Sequence, residues 1–404
     1  MNLLSDESVN SRIEKISETK RVHLSGKTEV MAVYRIPLDL LYYNDQNDRI
    51  AARMSQYREE NGFMPTDKLE RGEFNDIIEE FIVETNEKAI TRTQNNIKLR
   101  SQENPGVVLS DGRIIDGNRR FTCLRRLAKE NPDFSYFNAT ILDRSIRHNA
   151  KEIKMLELQL QFGEESKEDY SSIDKITGIY YDVIKNKLLS AEEYAHSVNE
   201  TTKSINCKIE IANLVEEFLE FINAKEQFHL ARQLEVYAAI EELQKMLKKC
   251  MNDDDREQLK YIVFATIAVG TEEDKRNKVR QMSRIVSSQY CDEFIAEQAV
   301  LVEKVADALP HQKISSMSTI IDIRKKSKDI AEELDRSLKK ADLKTKKSNA
   351  KLELIRLAEN ATDNLESIDT NLLKKMNDSE LQRFERQIKL LEDALNIIKD
   401  DLKI

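Results

Sequence analysis

The chain has 404 residues, with 64 Lys and Arg against 73 Asp and Glu and a net charge of −9, which excludes a uniformly basic nucleic-acid coat and confines any DNA contact to a local, salt-sensitive face. Charged residues make up 34% of it, with nine Gly, five Pro and no Trp, a composition of long solvated helices. Four cysteines (Cys123, Cys207, Cys250, Cys291) lie far apart without a CxxC pair and five histidines show no ligand spacing, so reduced thiols and no structural zinc are expected.

Residues 1–29 are polar and weakly patterned and are expected to form an N-terminal arm. Gly26-Lys27-Thr28 is not a Walker A element, because the earlier glycine would fall at Arg21 and no strand precedes it. Residues 30–165 have mixed α/β character. Met31 to Leu41 reads as a strand then a short helix, and Arg49 to Asn61 has helical spacing through Ile50, Met54 and Tyr57. An acidic helical stretch, 62–102, with Ile77, Ile78, Phe81 and Ile82 on one stripe, is an insertion without an assigned role.

The densest signal follows, PGVVLSDGRIIDGNRRFTCLRRL from Pro105. An apolar run (Gly106 to Leu109), a turn (Ser110-Asp111-Gly112) and a β-branched pair (Ile114-Ile115) predict a hairpin, with a helix starting after Asp116-Gly117. Gly117 lets a ligand approach the backbone, the first helical turn offers unpaired N–H groups, and Arg119 and Arg120 supply planar cationic donors suited to phosphate oxygens. A solvated basic face through Arg119, Arg120, Arg125 and Arg126 reads the same residues blandly. After Asn131-Pro132-Asp133, Phe137 to Leu142 reads as the strand that closes the sheet. Lys151 to Phe162 is a helix with Ile153, Leu156 and Leu160 inward, and Ser171 to Leu189 is another.

DGRIIDGNRRFTCLRRL resembles the nucleotide-binding signature of the ParB/sulfiredoxin superfamily, and Asn44-Asp45-Gln46-Asn47-Asp48-Arg49 is similar to the upstream ParB box, an asparagine followed five positions later by an arginine. The resemblance implies that a nucleoside triphosphate (CTP or ATP) with Mg2+ sits on Arg49, Gly112, Gly117, Asn118, Arg119 and Arg120. The family's Glu-Asn-x-Gln-Arg box is reduced here to Glu157, Gln159 and Gln161, leaving Glu157 as metal ligand. Asp116 and Glu157 are the candidate catalytic carboxylates.

Ser190 with Glu193 forms a capping box. Counting from Ala195, Val198, Asn199, Ile205 and Ile209 fall at the offsets of a helix-turn-helix across residues 166–225, with Asn199 at the tight turn and Thr201 capping the second helix. Thr201, Thr202, Lys203, Asn206 and Lys208 are the candidate DNA contacts; a generic αα-hairpin satisfies the same core positions. Residues 226–330 read as helical, with a stripe from Leu230 to Leu247, a buried run Tyr261 to Val269 and two helices up to Pro310. In 331–404, Leu381, Phe384, Ile388, Leu391, Leu395, Ile398 and Leu402 trace a coiled-coil seam, with Ser379 and Gln382 as its capping box; the seam packs back on the chain's own helices or joins two chains, and the ParB resemblance implies the second, a homodimer.

The expected fold is thus an α+β N-terminal ParB/sulfiredoxin-like domain followed by a predominantly α-helical region with a helix-turn-helix and a C-terminal coiled coil. No run is long enough to span a bilayer and no signal-peptide pattern opens the chain; a bacterial cytoplasmic, nucleoid-associated protein is expected. The first functional expectation is nucleotide-gated DNA binding in a partition or related plasmid- or phage-linked role, with a partner ATPase or defence protein. The alternatives are an effector enzyme of anti-phage defence (a CTPase-like nucleoside triphosphatase, or a nuclease) and a catalytically silent scaffold.

Overall fold

The computed structural model describes residues 2–24, 27–144, 146–162, 171–250, 252–270 and 275–403, without the side chains of residues 49, 146–148 and 162. Two units are present, Met1–Asp342 and Leu343–Ile404. Within the first, six strands form one mixed sheet: β1 (Glu14–Leu24), β2 (Lys27–Pro37), β3 (Tyr42–Tyr43), β4 (Gly106–Leu109), β5 (Arg113–Asp116) and β6 (Tyr136–Leu142). Their spatial order is β1-β2-β6-β4-β5-β3. β6 lies antiparallel to β2 and parallel to β4, with Ala139 opposite both Tyr34 and Gly106.

Side chains alternate across a strand, so a strand apolar at every position needs cover on both faces. β4 is buried throughout. Val108 joins Ile114, Phe137, Ala139 and Ile141 in one core, while Val107 and Leu109 join Val22, Ile115, Leu142, Ile153 and Leu156 in another. Helix Ile146–Phe162 therefore covers the second face. The first is covered by helix Asn118–Ala128 together with Phe74, Ile78, Ile90 and Ile97 of the 62–102 stretch.

Two expectations change here. Residues 14–24 are a strand where an arm was expected, because Val22 and Leu24 complete the second face; Leu3 is also buried, and its N–H donates to Ser110 O at 2.6 Å. β6 is the strand expected at Phe137 to Leu142, and it lies between β2 and β4. The insertion is a structural layer of the domain, held by Phe74 and Ile78 more than by Ile77.

The helical part of the first unit has one core running from Ala52 and Ile173 to Ala341, with Phe218, Phe228, Phe264 and Phe294 inside it. A shared core makes one unit of segments that the sequence divides at 226 and 331. Leu334, Leu338 and Ala341 belong to it. Helix Asp253–Val269 is buried along Ile262 to Val269, as its unbroken apolar run requires. The expected single helix from Ser171 to Leu189 is instead an α-helix, Ser172–Ile179, followed by a π-helical turn, Tyr180–Lys185.

In the second unit, helix Asp378–Leu402 has no buried residue among those described, and Leu391, Leu395, Ile398 and Leu402 are exposed. Its capping box is Asn377 with Glu380, two residues before the pair expected at Ser379 and Gln382, so the helix starts earlier.

Candidate functional site

At the arginine turn, Gly117 is the N-cap of helix Asn118–Ala128 with φ of 103°, in the left-handed region that favours glycine. A Cβ there would stand 2.8 Å from Phe137 Cζ, and one at Gly106 only 2.4 Å from the same atom. Both glycines thus let the hairpin close over the buried Phe137 ring, a packing duty that exists whether or not a ligand approaches.

Arg119 and Arg120 stand half-buried in the first turn of this helix. Arg120 Nη2 is 3.2 Å from Asp116 Oδ2, and Lys20 Nζ lies 3.4 Å from the same oxygen. Asp116 is therefore an ion-pair partner at the end of β5, which opposes its expected use as a free base. Among the described residues Arg120 Nε and Asn118 Oδ1 are buried without a hydrogen-bond partner, so the turn retains one donor and one acceptor with unmet capacity. Arg125, two turns on, is taken by Glu79 at 2.7 Å and Asp76 at 2.5 Å from the insertion.

The two sequence boxes meet. Arg113 pairs with Asp45, Tyr42 N donates to Gly112 O at 3.0 Å, and Tyr42 Oη donates to Asp111 Oδ2 at 2.7 Å. Gly112 has φ of 94° and its own N–H donates to Leu109 O. It is a turn residue whose backbone groups are both spent, so its expected ligand contact is not supported. The side chain of Arg49 lies outside the described residues.

Glu157 stands elsewhere, in a buried ionic cluster. Lys154 Nζ lies 2.7 Å from Asp48 Oδ1, 3.2 Å from Asp182 Oδ2 and 3.7 Å from Glu157 Oε2, and also donates to Gln46 O at 3.1 Å. Gln161 Nε2 donates to Glu157 Oε1 at 2.7 Å. Burial pushes the carboxyls of Glu157 and Asp182 up to about 7, against the opposing pull of Lys154. Asp174, fully buried one helical turn before Gly178, faces the same region with Arg232 at 3.5 Å; a Cβ on Gly178 would stand 2.6 Å from the Asp48 carboxylate.

The ammonium occupies the centre that a dication would need, and a carboxyl titrating near neutrality is a poor ligand for one. Mg2+ at Glu157 does not fit these residues. Among the described residues no group of three or more His, Cys, Asp or Glu is arranged to hold a metal.

The second predicted region has the expected backbone. Ser190 and Glu193 form the capping box of helix Ala191–Ser197, Asn199 has φ of 56°, Glu200 N donates to Ala195 O at 2.9 Å, and Thr201 Oγ1 accepts from Ser204 N at the start of helix Thr202–Phe221. Ala195, Val198 and Ile205 are buried with Leu158, and Ile209 packs against them. Of the named contacts, Lys203 and Asn206 are exposed and Thr202 is half-buried. Lys208 is held at 2.5 Å by Glu200, and Thr201 is spent as a cap, which weakens both as DNA contacts.

Two features escape the sequence. Asp48 is a buried partner of Lys154, for which the i, i+3 spacing of Lys154 and Glu157 is the only linear hint. A cavity of about 510 Å³ joins His23 at the end of β1, Asn149 to Glu152, Met155 and Gln159 of the covering helix, and His196. These histidines are 173 positions apart in the chain (196 minus 23), so no spacing rule relates them.

No protein-family model and no curated protein matches this chain. Among solved structures it is similar to a Pnob8-like ParB-N domain, at 12% identity and a TM-score of 0.30, over 79% of this chain and 99% of that chain. A likeness at that TM-score carries no weight for what the chain binds. Among the described residues no helix is long and apolar enough to cross a membrane.

Proposed function

We propose that this chain is a ParB-like, nucleotide-responsive DNA-binding protein. The reading rests on one connection: helix Ile146–Phe162 packs against the sheet, the first box and the helix pair. Ile153 and Leu156 pack under the sheet that carries the arginine turn, Lys154 reaches Asp48 in the first box, and Leu158 enters the core of the Ala191–Phe221 helix pair. A shift of the box or the hairpin on binding a triphosphate has a rigid route to the helix pair.

Arg119 and Arg120, the N–H groups after Gly117, and Asn118 would hold the triphosphate, with Arg120 exchanging Asp116 for phosphate oxygens. Lys203 and Asn206 would meet DNA. Because Asp116 and Glu157 are engaged in ion pairs, this reading favours binding and release over turnover, and it sets the nuclease and triphosphatase alternatives second. The unpartnered seam Leu391, Leu395, Ile398 and Leu402 supports a homodimer.

Thermal-shift titration with the four ribonucleoside triphosphates and Mg2+ tests it. At least one nucleotide should raise Tm, and Arg120→Ala should abolish the rise. Duplex DNA affinity should fall in Lys203→Ala/Asn206→Ala and should change when that nucleotide is added. No shift with any nucleotide, or DNA affinity indifferent to it, overturns the reading.

A further inference from the structure

We infer that the insertion carries a second DNA-contacting surface, the outer face of helix Glu87–Arg100. It extends the DNA-binding reading above, but uses residues that lie outside the helix pair and the arginine turn.

The helix is 14 residues long, about 21 Å at 1.5 Å per residue, and its two faces differ sharply. Ala89, Ile90 and Ile97 are buried in the domain core. Cys123 Sγ, on the arginine helix, donates to Ile90 O at 3.5 Å, so the helix is seated directly on the element that begins at Gly117. Lys88, Thr91, Arg92, Asn95, Asn96 and Leu99 are exposed at successive three- and four-residue steps and share the opposite face.

Two cations and two amides at this spacing have the chemistry of a surface that tracks a phosphate backbone and meets base edges. Many basic residues of this acidic chain are neutralised by nearby carboxylates, as Arg125 is by Asp76 and Glu79 and Lys208 by Glu200. Among the described residues no ion pair or hydrogen bond engages the side chains of Lys88, Arg92, Asn95 or Asn96. Glu87, in the first turn, is the one carboxylate within the helix. An apolar protein face would meet this surface through Leu99, which is 82% exposed. The polar run of Lys88, Arg92, Asn95 and Asn96 is longer than that single apolar contact, and the partner it matches is duplex DNA.

Fluorescence anisotropy with a labelled duplex, across a salt series and with and without nucleoside triphosphate, separates this surface from the helix pair. Lys88→Ala/Arg92→Ala should weaken binding about tenfold and make the slope of log K against log salt shallower by about 1.8, two phosphates at 0.9 each. Circular dichroism should show an unchanged fold, since both side chains are solvent-facing. If that variant binds as wild type while Lys203→Ala/Asn206→Ala does not, the insertion surface is refuted and the helix pair stands. If only the insertion variant loses affinity, the surface stands and the helix-pair contacts fall. Equal loss on single-stranded RNA and duplex, with an unchanged salt slope, or no duplex binding by wild type, overturns the inference.

Discussion

Lys154 Nζ donates to Asp48 Oδ1 at 2.7 Å with both side chains buried, 3% and 5% exposed. The pair joins the sheet's covering helix to the first sequence box, and Asp182 brings in the π-helical turn that follows. Removing one member of a buried ion cluster leaves charge without compensation. Lys154→Met should therefore lose about 3–5 kcal/mol in chemical denaturation. A loss under about 1 kcal/mol would mean that the ammonium is not what holds the carboxylates together.

The same cluster sets a pH dependence. Glu157 and Asp182 bind protons more tightly folded than unfolded, because burial disfavours their charged forms. Between about pH 4 and 7 the folded state holds more protons, so stability falls as pH rises through that window and levels off above it. Asp48 and Lys154 face both carboxyls, Gln161 bonds Glu157, and Asp174 with Arg232 adjoins from two further helices. Asp182→Asn removes one of the two raised carboxyls, and the drop in Tm between pH 5 and pH 8 should shrink by about half.

Gly117 predicts a coupled pair of substitutions. Gly117→Ala meets both a left-handed backbone and the Phe137 ring, and should cost about 1–3 kcal/mol. In a Phe137→Leu background part of that clash is absent, so the double variant should cost less than the sum of the two single changes. Strict additivity would show that backbone conformation alone accounts for the glycine.

Asn199 closes the tight turn at φ of 56°. Asn199→Ala should lose about 1 kcal/mol, the ordinary cost of placing an L residue there, and Asn199→Gly should lose less. Thermal melts of the three proteins distinguish them. Equal stability in all three would place the turn outside the cooperative unit.

Local order was legible along the chain because it follows from near neighbours. The hairpin from Gly106 to Asp116, the helix start at Gly117, the Ser190 capping box and the Asn199 turn each depend on residues within a few positions, and each stands where spacing and turn chemistry put it. What the linear pattern could not reveal are relations between distant positions. The polar segment that reads as an arm is β1, since its apolar residues match a face completed by β4 and β6. Glu157 reads as a metal ligand until Asp48, Asp182 and Lys154 are brought around it, and Asp116 reads as a base until Lys20 arrives from 96 residues away. Periodicity tells which way a side chain faces; only the packed chain tells which charge it meets, and that meeting decides whether a carboxylate is free to act.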